Sequence, residues 1–155
     1  MSEQGTVVSI HTAPAAAAPM ASINTARITP GFGIAGDRYA LRTGTYSNAP
    51  GEGREVTLVE AEALDALKRE YDVELAAGES RRNIVTRGIA LNHLVGREFT
   101  VGEVRLRGIR LCEPCGHLER LTRQGVHKGL VHRGGLRTVV VSGGAIRVGD
   151  PIVVP

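Results

Sequence analysis

Apolar residues recur along most of the chain in short runs with a period of two, which is the spacing of a half-buried β-strand. Glycine, proline and polar clusters separate these runs, and the sequence contains 20 glycines and 7 prolines. This punctuation is typical of short strands joined by turns. The predicted strands cover 6–10, 21–28, 56–58, 83–87, 99–111, 137–141, 145–148 and 152–154.

One segment has the period of an amphipathic helix. Leu64, Leu67 and Tyr71 fall on one face, whereas most of the charged residues fall on the other face. This pattern predicts an α-helix from Glu60 to about Tyr71, and shorter helical turns are expected at 90–95 and 116–123. Many short strands with one clear helix indicate a mainly β fold, a barrel, over residues 1–155 as a single domain.

Two glycine-rich regions interrupt this pattern. The apolar phase of the strand region 99–111 slips at Gly108, which predicts a β-bulge there. The segment 31–40 contains three glycines within six residues and is expected to be a tight loop. The polar, glycine-rich segment 43–54 is expected to be an exposed, mobile loop.

Composition narrows the possible partners and compartments. The formal net charge is +3, and 17 of the 19 basic residues are arginine, which grips phosphate or carboxylate groups with two parallel hydrogen bonds. Long basic runs and stacking aromatic residues are lacking, so a nucleic-acid partner is not expected. The sequence contains no membrane-spanning apolar segment and no secretory signal, so we expect a cytoplasmic protein that does not bind membranes.

The segment 112–117 carries the densest chemistry, and the residues alone leave four interpretations open. Cys112 and Cys115 precede His127 and His132 at a spacing near that of a two-cysteine, two-histidine zinc site. A redox CxxC motif is a second interpretation, although no thioredoxin-like pattern surrounds it. In the third, one or both cysteines are small buried hydrophobes, which suits Cys112 best. In the fourth, Cys115 is a reactive thiolate.

The fourth interpretation follows from the position of Cys115 between a strand and a helix. Pro114 ends the strand, and the predicted helix begins at Gly116. A helix N-terminus stabilises the thiolate anion and lowers the pKa of the thiol. Such a thiolate can attack sulfur, hold a persulfide or bind a soft metal.

Several motifs, in order along the chain, together resemble the MOSC family, which is named after the C-terminal domain of molybdenum cofactor sulfurases. The dipeptide Pro114-Cys115 falls where that family carries its single invariant cysteine. The other matching segments are 33–40, 81–89, 96–102, 132–136 and 143–150.

The resemblance implies a strongly bent, mixed β-barrel that binds the molybdenum cofactor, molybdopterin. It implies that Cys115 is the catalytic residue, either as the molybdenum ligand or as a carrier of persulfide sulfur. Reduction of N-oxygenated substrates is one activity that it implies. The candidate cofactor-binding residues carried over from the family motifs are Asp37, Arg38, Arg81, Asn83, Arg133 and Gly134.

The resemblance also implies a partner protein. With two lysines and no pattern of a pyridoxal-phosphate fold, this chain is not expected to bind pyridoxal phosphate itself. The expected partner is a separate pyridoxal-phosphate-dependent cysteine desulfurase or a redox protein. Two alternatives stay open at this point: a sulfur carrier that does not bind the whole cofactor, and a non-enzymatic, zinc-stabilised binding module.

Overall fold

A closed barrel of seven strands forms the centre of the computed structural model, which describes residues 3–44 and 53–155. Around the barrel the order is β1, β11, β7, β8, β9, β5, β6 and back to β1. Only the β5–β6 pair is parallel within this described part, so the barrel is mixed. The barrel strands are β1 Glu3–Thr12, β5 Val56–Glu60, β6 Ile84–Arg87, β7 Glu98–Val101, β8 Val104–Leu111, β9 Leu136–Ser142 and β11 Pro151–Val154.

The strand predicted over 21–28 is two strands that belong to different sheets. Strand β2 (Ala21–Ile23) pairs with the end of β1, and β3 (Thr25–Thr29) pairs with β10 (Gly144–Arg147) and with β4 (Gly33–Ile34). The chain bends at Asn24, between the two strands. Because residues on both sides of Asn24 favour β-structure, the sequence pattern did not reveal that the two strands pair with different neighbours.

Register shifts give the barrel its strong curvature. Strand β8 slips against β9 between Gly108 and Arg110, which confirms the bulge predicted at this glycine. An ideal Cβ atom on Gly108 would lie 2.1 Å from the carbonyl oxygen of Leu94, so only glycine fits there. A second shift in β8 follows Arg105, and β1 slips against β6 between Val7 and Ser9. The mainly β, bent barrel predicted from the sequence is thus confirmed.

Aliphatic side chains fill the barrel interior, as the shortage of aromatic residues requires. Phe99 is the largest buried side chain, and Leu58, Ile84, Leu106 and Ile146 are also fully buried around it. Each Å² of apolar surface that is buried contributes about 25 cal/mol, so this interior is the main source of the stability of the fold.

Three α-helices lie beside the barrel in the described part of the chain. They are α1 Ala61–Tyr71, α2 Gly116–Leu121 and α3 Val126–Gly129. Leu67 of α1, Leu118 of α2 and Val126 of α3 pack together in a second apolar cluster. The helix predicted from the 3.6-residue period is confirmed, but Tyr71 is 42% exposed because the small residues of α1 face the barrel instead.

Short 3₁₀ turns at Ala77–Ser80 and Leu91–Leu94 connect the remaining strands. The second of these lies within the helical turns predicted at 90–95. Over the described ranges, the helices are all too short or too polar to span a membrane. The loop predicted over 43–54 falls mostly on residues 45–52, which lie outside the described residues.

Candidate functional site

The cysteine segment links the end of β8 to the start of α2. Cys112 follows the last residue of β8, and Cys115 is the N-cap residue of α2, with an extended backbone. Leu118, one turn into the helix, is 3% exposed and anchors α2 in the helical cluster. The predicted position of Cys115 at a strand-to-helix corner is therefore confirmed. Because α2 has only six residues, the side chains around Cys115 matter more for its thiol than the dipole of this helix.

Arg82 ties this segment to the neighbouring strands. Its Nη2 donates to the carbonyl oxygen of Cys112 at 3.0 Å, and its Nε donates to that of Gly134 at 2.7 Å. An ideal Cβ atom on Gly134 would lie 2.2 Å from the Cys112 oxygen and 3.0 Å from the Pro114 ring. Gly134, predicted as a cofactor contact, thus packs directly against the cysteine segment, which requires a residue without a side chain.

A second restraint comes from Glu113, the residue between Cys112 and Pro114. Glu113 accepts a hydrogen bond from the backbone N–H of His132 at 2.7 Å through Oε1. Its Oε2 lies 2.8 Å from Nδ1 of the same histidine. The first two residues of the cysteine segment, Cys112 and Glu113, are therefore restrained, one by Arg82 and the other by His132.

A small cavity of about 100 Å³ opens beside these ties, and both cysteines line it. Neither Cys112, which is 6% exposed, nor the partly exposed Cys115 forms a disulfide. Five arginines share the same wall, which is an unusual concentration of positive charge for so small a space. The lining residues are Arg38, Tyr39, Arg54, Thr57, Arg81, Arg82, Cys112, Glu113, Cys115 and Arg137.

Two of these arginines place buried nitrogen atoms without a hydrogen-bond partner among the described residues. These atoms are Nη2 of Arg81 and Nη1 of Arg137. Buried guanidinium nitrogens normally have partners, so each is a candidate donor to a bound anion. Burial lowers the pKa of Arg81, and the adjacent charge of Arg38 lowers it further.

The backbone of Arg81 is held in a conformation that few side-chain-bearing residues adopt. It follows the 3₁₀ turn with a φ of 62° and a ψ of 17°, in the left-handed region. Its Nη1 donates to the carbonyl oxygen of Ala18 at 2.7 Å, and its own carbonyl accepts from Nη2 of Arg38 at 3.0 Å. Such backbone strain clusters at functional sites, where surrounding contacts maintain it.

The predicted pair Asp37 and Arg38 forms a buried ion pair behind Arg81. Nη1 of Arg38 lies 3.0 Å from Oδ1 of Asp37, and the two side chains are 7% and 0% exposed. The Arg38 guanidinium also lies 4.9 Å from the ring centre of Tyr39. Asp37 therefore contributes through Arg38, whereas Arg38 itself reaches the cavity.

Asn83 lies under the site, with its amide bonded inside the protein. Its Oδ1 accepts from the backbone N–H and the hydroxyl of Thr57, at 3.1 and 3.2 Å. Its Nδ2 donates to the carbonyl oxygen of His11 at 3.1 Å, and the residue is 1% exposed. These bonds join β1, β5 and the start of β6, and the role of Asn83 in cofactor contact stays a prediction.

Arg133 points away from the cysteines. It lines a different cavity of about 250 Å³, beside α1, and its Nη1 lies 2.8 Å from Oε2 of Glu70. This hydrogen bond raises the pKa of the Arg133 guanidinium and lowers the pKa of the Glu70 carboxyl. Of the predicted site residues, the structure brings together Cys115, Arg38, Arg81 and Gly134, with Asp37 and Asn83 behind them.

The zinc alternative finds no site in the described ranges. No three histidine, cysteine, aspartate or glutamate side chains there lie close enough to hold a metal ion. His132 faces Glu113 instead, and His127 is an exposed residue of α3.

Sequence reasoning missed Arg54 and Arg137 as cavity residues. Arg137 lies on β9 opposite Thr57 of β5, and Arg54 forms a β-bridge with Thr138. Arg137 alternates with the buried strand residues Leu136 and Thr138, a pattern that also fits an ordinary solvated side chain. Only the pairing of β5 with β9, which a single sequence does not reveal, places them beside the cysteines.

A larger cleft of about 530 Å³ adjoins the cysteine cavity. Arg81 lines both spaces, and Leu121 and Thr122, at the end of α2, border the larger one. Its opposite wall includes His11, Met20 and Gly78. A ligand anchored on Arg81 therefore has room to extend away from the thiols.

Comparison with known proteins agrees with this architecture. The chain is similar in structure to the YuaD protein from Bacillus subtilis, with a TM-score of 0.80, 16% identity and coverage of 99% of this chain and 98% of that chain. It is also similar to YiiM from Geobacillus stearothermophilus, with a TM-score of 0.73, 16% identity and coverage of 97% and 75%. YiiM from Escherichia coli gives a TM-score of 0.69 at 17% identity, over 100% and 70%.

These likenesses establish the shared fold. No protein of curated function matches the chain. The sequence model of the MOSC domain matches residues 45–153, which include both cysteines and four of the five cavity arginines. The chain therefore belongs to the MOSC domain family.

Proposed function

We propose that this protein binds the molybdenum cofactor at the cysteine cavity, with Cys115 as the molybdenum ligand or as the carrier of sulfur for it. The family is associated with molybdenum cofactor sulfurase chemistry. The observation that carries the proposal is local to this chain. Two cysteines and five arginines line one cavity, and two of these arginines, Arg81 and Arg137, each carry a buried nitrogen without a partner among the described residues.

The residues present fit the cofactor in their chemistry. A thiolate is a suitable ligand for a soft metal, and guanidinium groups bind phosphate through paired hydrogen bonds. Cys115 would hold the metal, while Arg81 and Arg137 would hold anionic groups. When bound, the cofactor supplies a molybdenum centre for redox or sulfur-transfer chemistry.

The role of this chain's own residues follows from that assignment. Arg82 bonds the carbonyl oxygen of Cys112, and the side chain of the next residue, Glu113, bonds His132, so the chain between the two cysteines is restrained. Arg38 holds the backbone of Arg81 in its left-handed conformation through a hydrogen bond to its carbonyl. When the donors are already in place, binding an anion does not cost the conformational entropy of ordering their side chains.

A second candidate function has its own support in the size of the cavity. At about 100 Å³, the space beside the thiols holds roughly three water molecules at ~30 Å³ each, which suffices for a persulfide. A sulfur carrier that accepts persulfide from a pyridoxal-phosphate-dependent cysteine desulfurase needs Cys115 and a basic environment. It does not need the larger cleft beyond Arg81.

Metal and pterin analysis tests the first function. The full chain is co-expressed with the cofactor synthesis enzymes, and molybdenum and pterin are measured after purification. Cys115→Ala is expected to lose molybdenum, and Arg81→Ala to lower pterin retention about tenfold or more, because a hydrogen bond to a charged group contributes about 1.5–3 kcal/mol. Arg133→Ala is the matched control, since Arg133 lines another cavity. Wild-type protein without molybdenum or pterin contradicts cofactor binding.

A desulfurase assay tests the second function. The reduced chain is incubated with a pyridoxal-phosphate-dependent cysteine desulfurase and cysteine, and its persulfides are located by mass spectrometry. A persulfide on Cys115 in a chain that binds no pterin selects the carrier function. A chain that acquires neither pterin nor sulfur contradicts both candidates.

A further inference from the structure

Cys112 is a buried cysteine on the wall of a cavity that is rich in arginine. It is only 6% exposed, yet it belongs to none of the three apolar clusters formed by the described residues. It lines the cysteine cavity instead, together with Cys115 and the arginines. We propose that Cys112 is a resolving thiol, which attacks a persulfide on Cys115 and releases its outer sulfur as sulfide inside the cavity. This inference rests on the sulfur-carrying role proposed for Cys115.

The backbone of Cys112 is fixed on both sides of the Cα atom. Its N–H donates to the carbonyl oxygen of Gly135 at 2.7 Å, and its carbonyl accepts from Arg82 at 3.0 Å. Gly134 packs against the same carbonyl. These restraints hold the Cys112 backbone, and Cys112 and Cys115 line one cavity of only about 100 Å³.

The surrounding charges favour the anions that the reaction requires. Thiol–disulfide exchange proceeds through a thiolate, and its rate depends on how well the leaving group carries negative charge. Arg81 and Arg137 line the same cavity as Cys112, and each carries a buried nitrogen without a partner among the described residues. Guanidinium nitrogens of this kind are donors for anions such as a thiolate or hydrosulfide. Solvent has little access to Cys112, so external thiols compete poorly for it.

The proposed step conserves atoms and electrons. The Cys112 thiolate attacks the inner sulfur of the Cys115 persulfide, the bond between inner and outer sulfur breaks, and a Cys112–Cys115 disulfide forms. The outer sulfur leaves as hydrosulfide and takes up the proton given up by the Cys112 thiol. The Cys112 sulfur is oxidised to the disulfide level as the outer sulfur is reduced to sulfide, and the Cys115 sulfur keeps its oxidation level. An external dithiol then reduces the disulfide to restore both thiols.

The experiment uses a chemical sulfur donor, so it does not depend on a partner protein. Reduced full-length wild type, Cys112→Ser and Cys115→Ser are treated anaerobically with sodium disulfide and freed of reagent. Each is then analysed by intact mass before and after thiol alkylation. Sulfide release is measured in parallel, and an external dithiol is added at the end. Cys112→Ala replaces Cys112→Ser if the hydroxyl prevents folding, which circular dichroism checks.

The outcomes separate this inference from the function on which it rests. We expect wild type to lose two hydrogens, release sulfide and recover both thiols with the dithiol. We expect Cys112→Ser to keep one added sulfur on Cys115 at least tenfold longer. Equal persistence of the Cys115 persulfide in wild type and Cys112→Ser overturns the resolving role alone. Failure of Cys115 to acquire sulfur in every variant overturns the sulfur-carrying role, and the resolving role with it.

Discussion

The substitution Asn83→Ala probes the polar network beneath the site. Its side chain makes three buried hydrogen bonds, two from Thr57 and one to the carbonyl oxygen of His11. Alanine leaves the Thr57 N–H and the His11 carbonyl without these partners at a point that is 1% exposed. At ~1–2 kcal/mol for each buried main-chain group, the expected loss is about 3 kcal/mol of unfolding free energy.

Thermal and urea unfolding measure this loss. For a chain of this length, 1 kcal/mol shifts the melting temperature by roughly 2–4 °C, so Asn83→Ala is expected to melt roughly 6–12 °C lower. Asn92→Ala is the matched control, because the exposed Asn92 makes one side-chain hydrogen bond, at 2.8 Å, to the carbonyl of His132. We expect that control to lie within about 0.5 kcal/mol of wild type.

The result that refutes this reasoning is specific. If the unfolding free energy of Asn83→Ala lies within about 1 kcal/mol of that of wild type, the three hydrogen bonds do not stabilise the barrel as argued. If the same variant keeps its stability but loses molybdenum on co-expression, Asn83 contacts the cofactor directly. A fall in stability together with retained molybdenum supports a structural role.

Three further predictions follow from buried charge, close packing and titration. Asp37→Asn is expected to cost about 3–5 kcal/mol of unfolding free energy, because it leaves its guanidinium partner buried without a counterion. Glu70→Gln, which breaks an exposed ion pair, is the control and is expected to change stability far less; urea unfolding of both variants compares them. Gly134→Ala is expected to displace the cysteine segment and to change the alkylation rate of Cys115 severalfold. Gly116→Ala is the control, because its added methyl group meets only the flexible tip of Arg120. Equal alkylation rates in the two variants would contradict the packing argument. Burial lowers the pKa of His11, so the folded state binds fewer protons than the unfolded state below pH 6.5, and wild type is expected to lose stability as the pH falls below that value. His11→Gln should show a shallower slope over the same pH range, and parallel slopes would exclude His11 as the source.

The periodicity of the sequence predicted the elements that depend on local pattern. The spacing of Leu64 and Leu67 predicted helix α1, and the alternation of Val104 and Leu106 with arginines predicted strand β8. The slip in apolar phase at Gly108 predicted the bulge, and the structure adds why glycine is required there: a side chain would collide with the backbone of Leu94. Each of these predictions needs only a few consecutive residues.

Features that depend on distant pairing were not predictable from the single sequence. The barrel closes when Glu3 pairs with Val154, residues at opposite ends of the described chain. The break at Asn24 has no local signal, since residues on both sides favour β-structure. Arg137 reaches the cavity only because β9 lies between β5 and β8.

The charge around the cavity explains why an anion is the expected ligand. Arg38 has a buried counterion in Asp37, but the hydrogen bonds of Arg82 and the partnered nitrogen of Arg81 all go to uncharged carbonyl oxygens. Glu113, the carboxylate on the cavity wall, is directed toward His132. The described wall therefore carries more guanidinium charge than its carboxylates neutralise. Guanidinium charges this close together repel one another, as the effect of Arg38 on the pKa of Arg81 indicates, and a bound thiolate, persulfide or phosphate would relieve that repulsion.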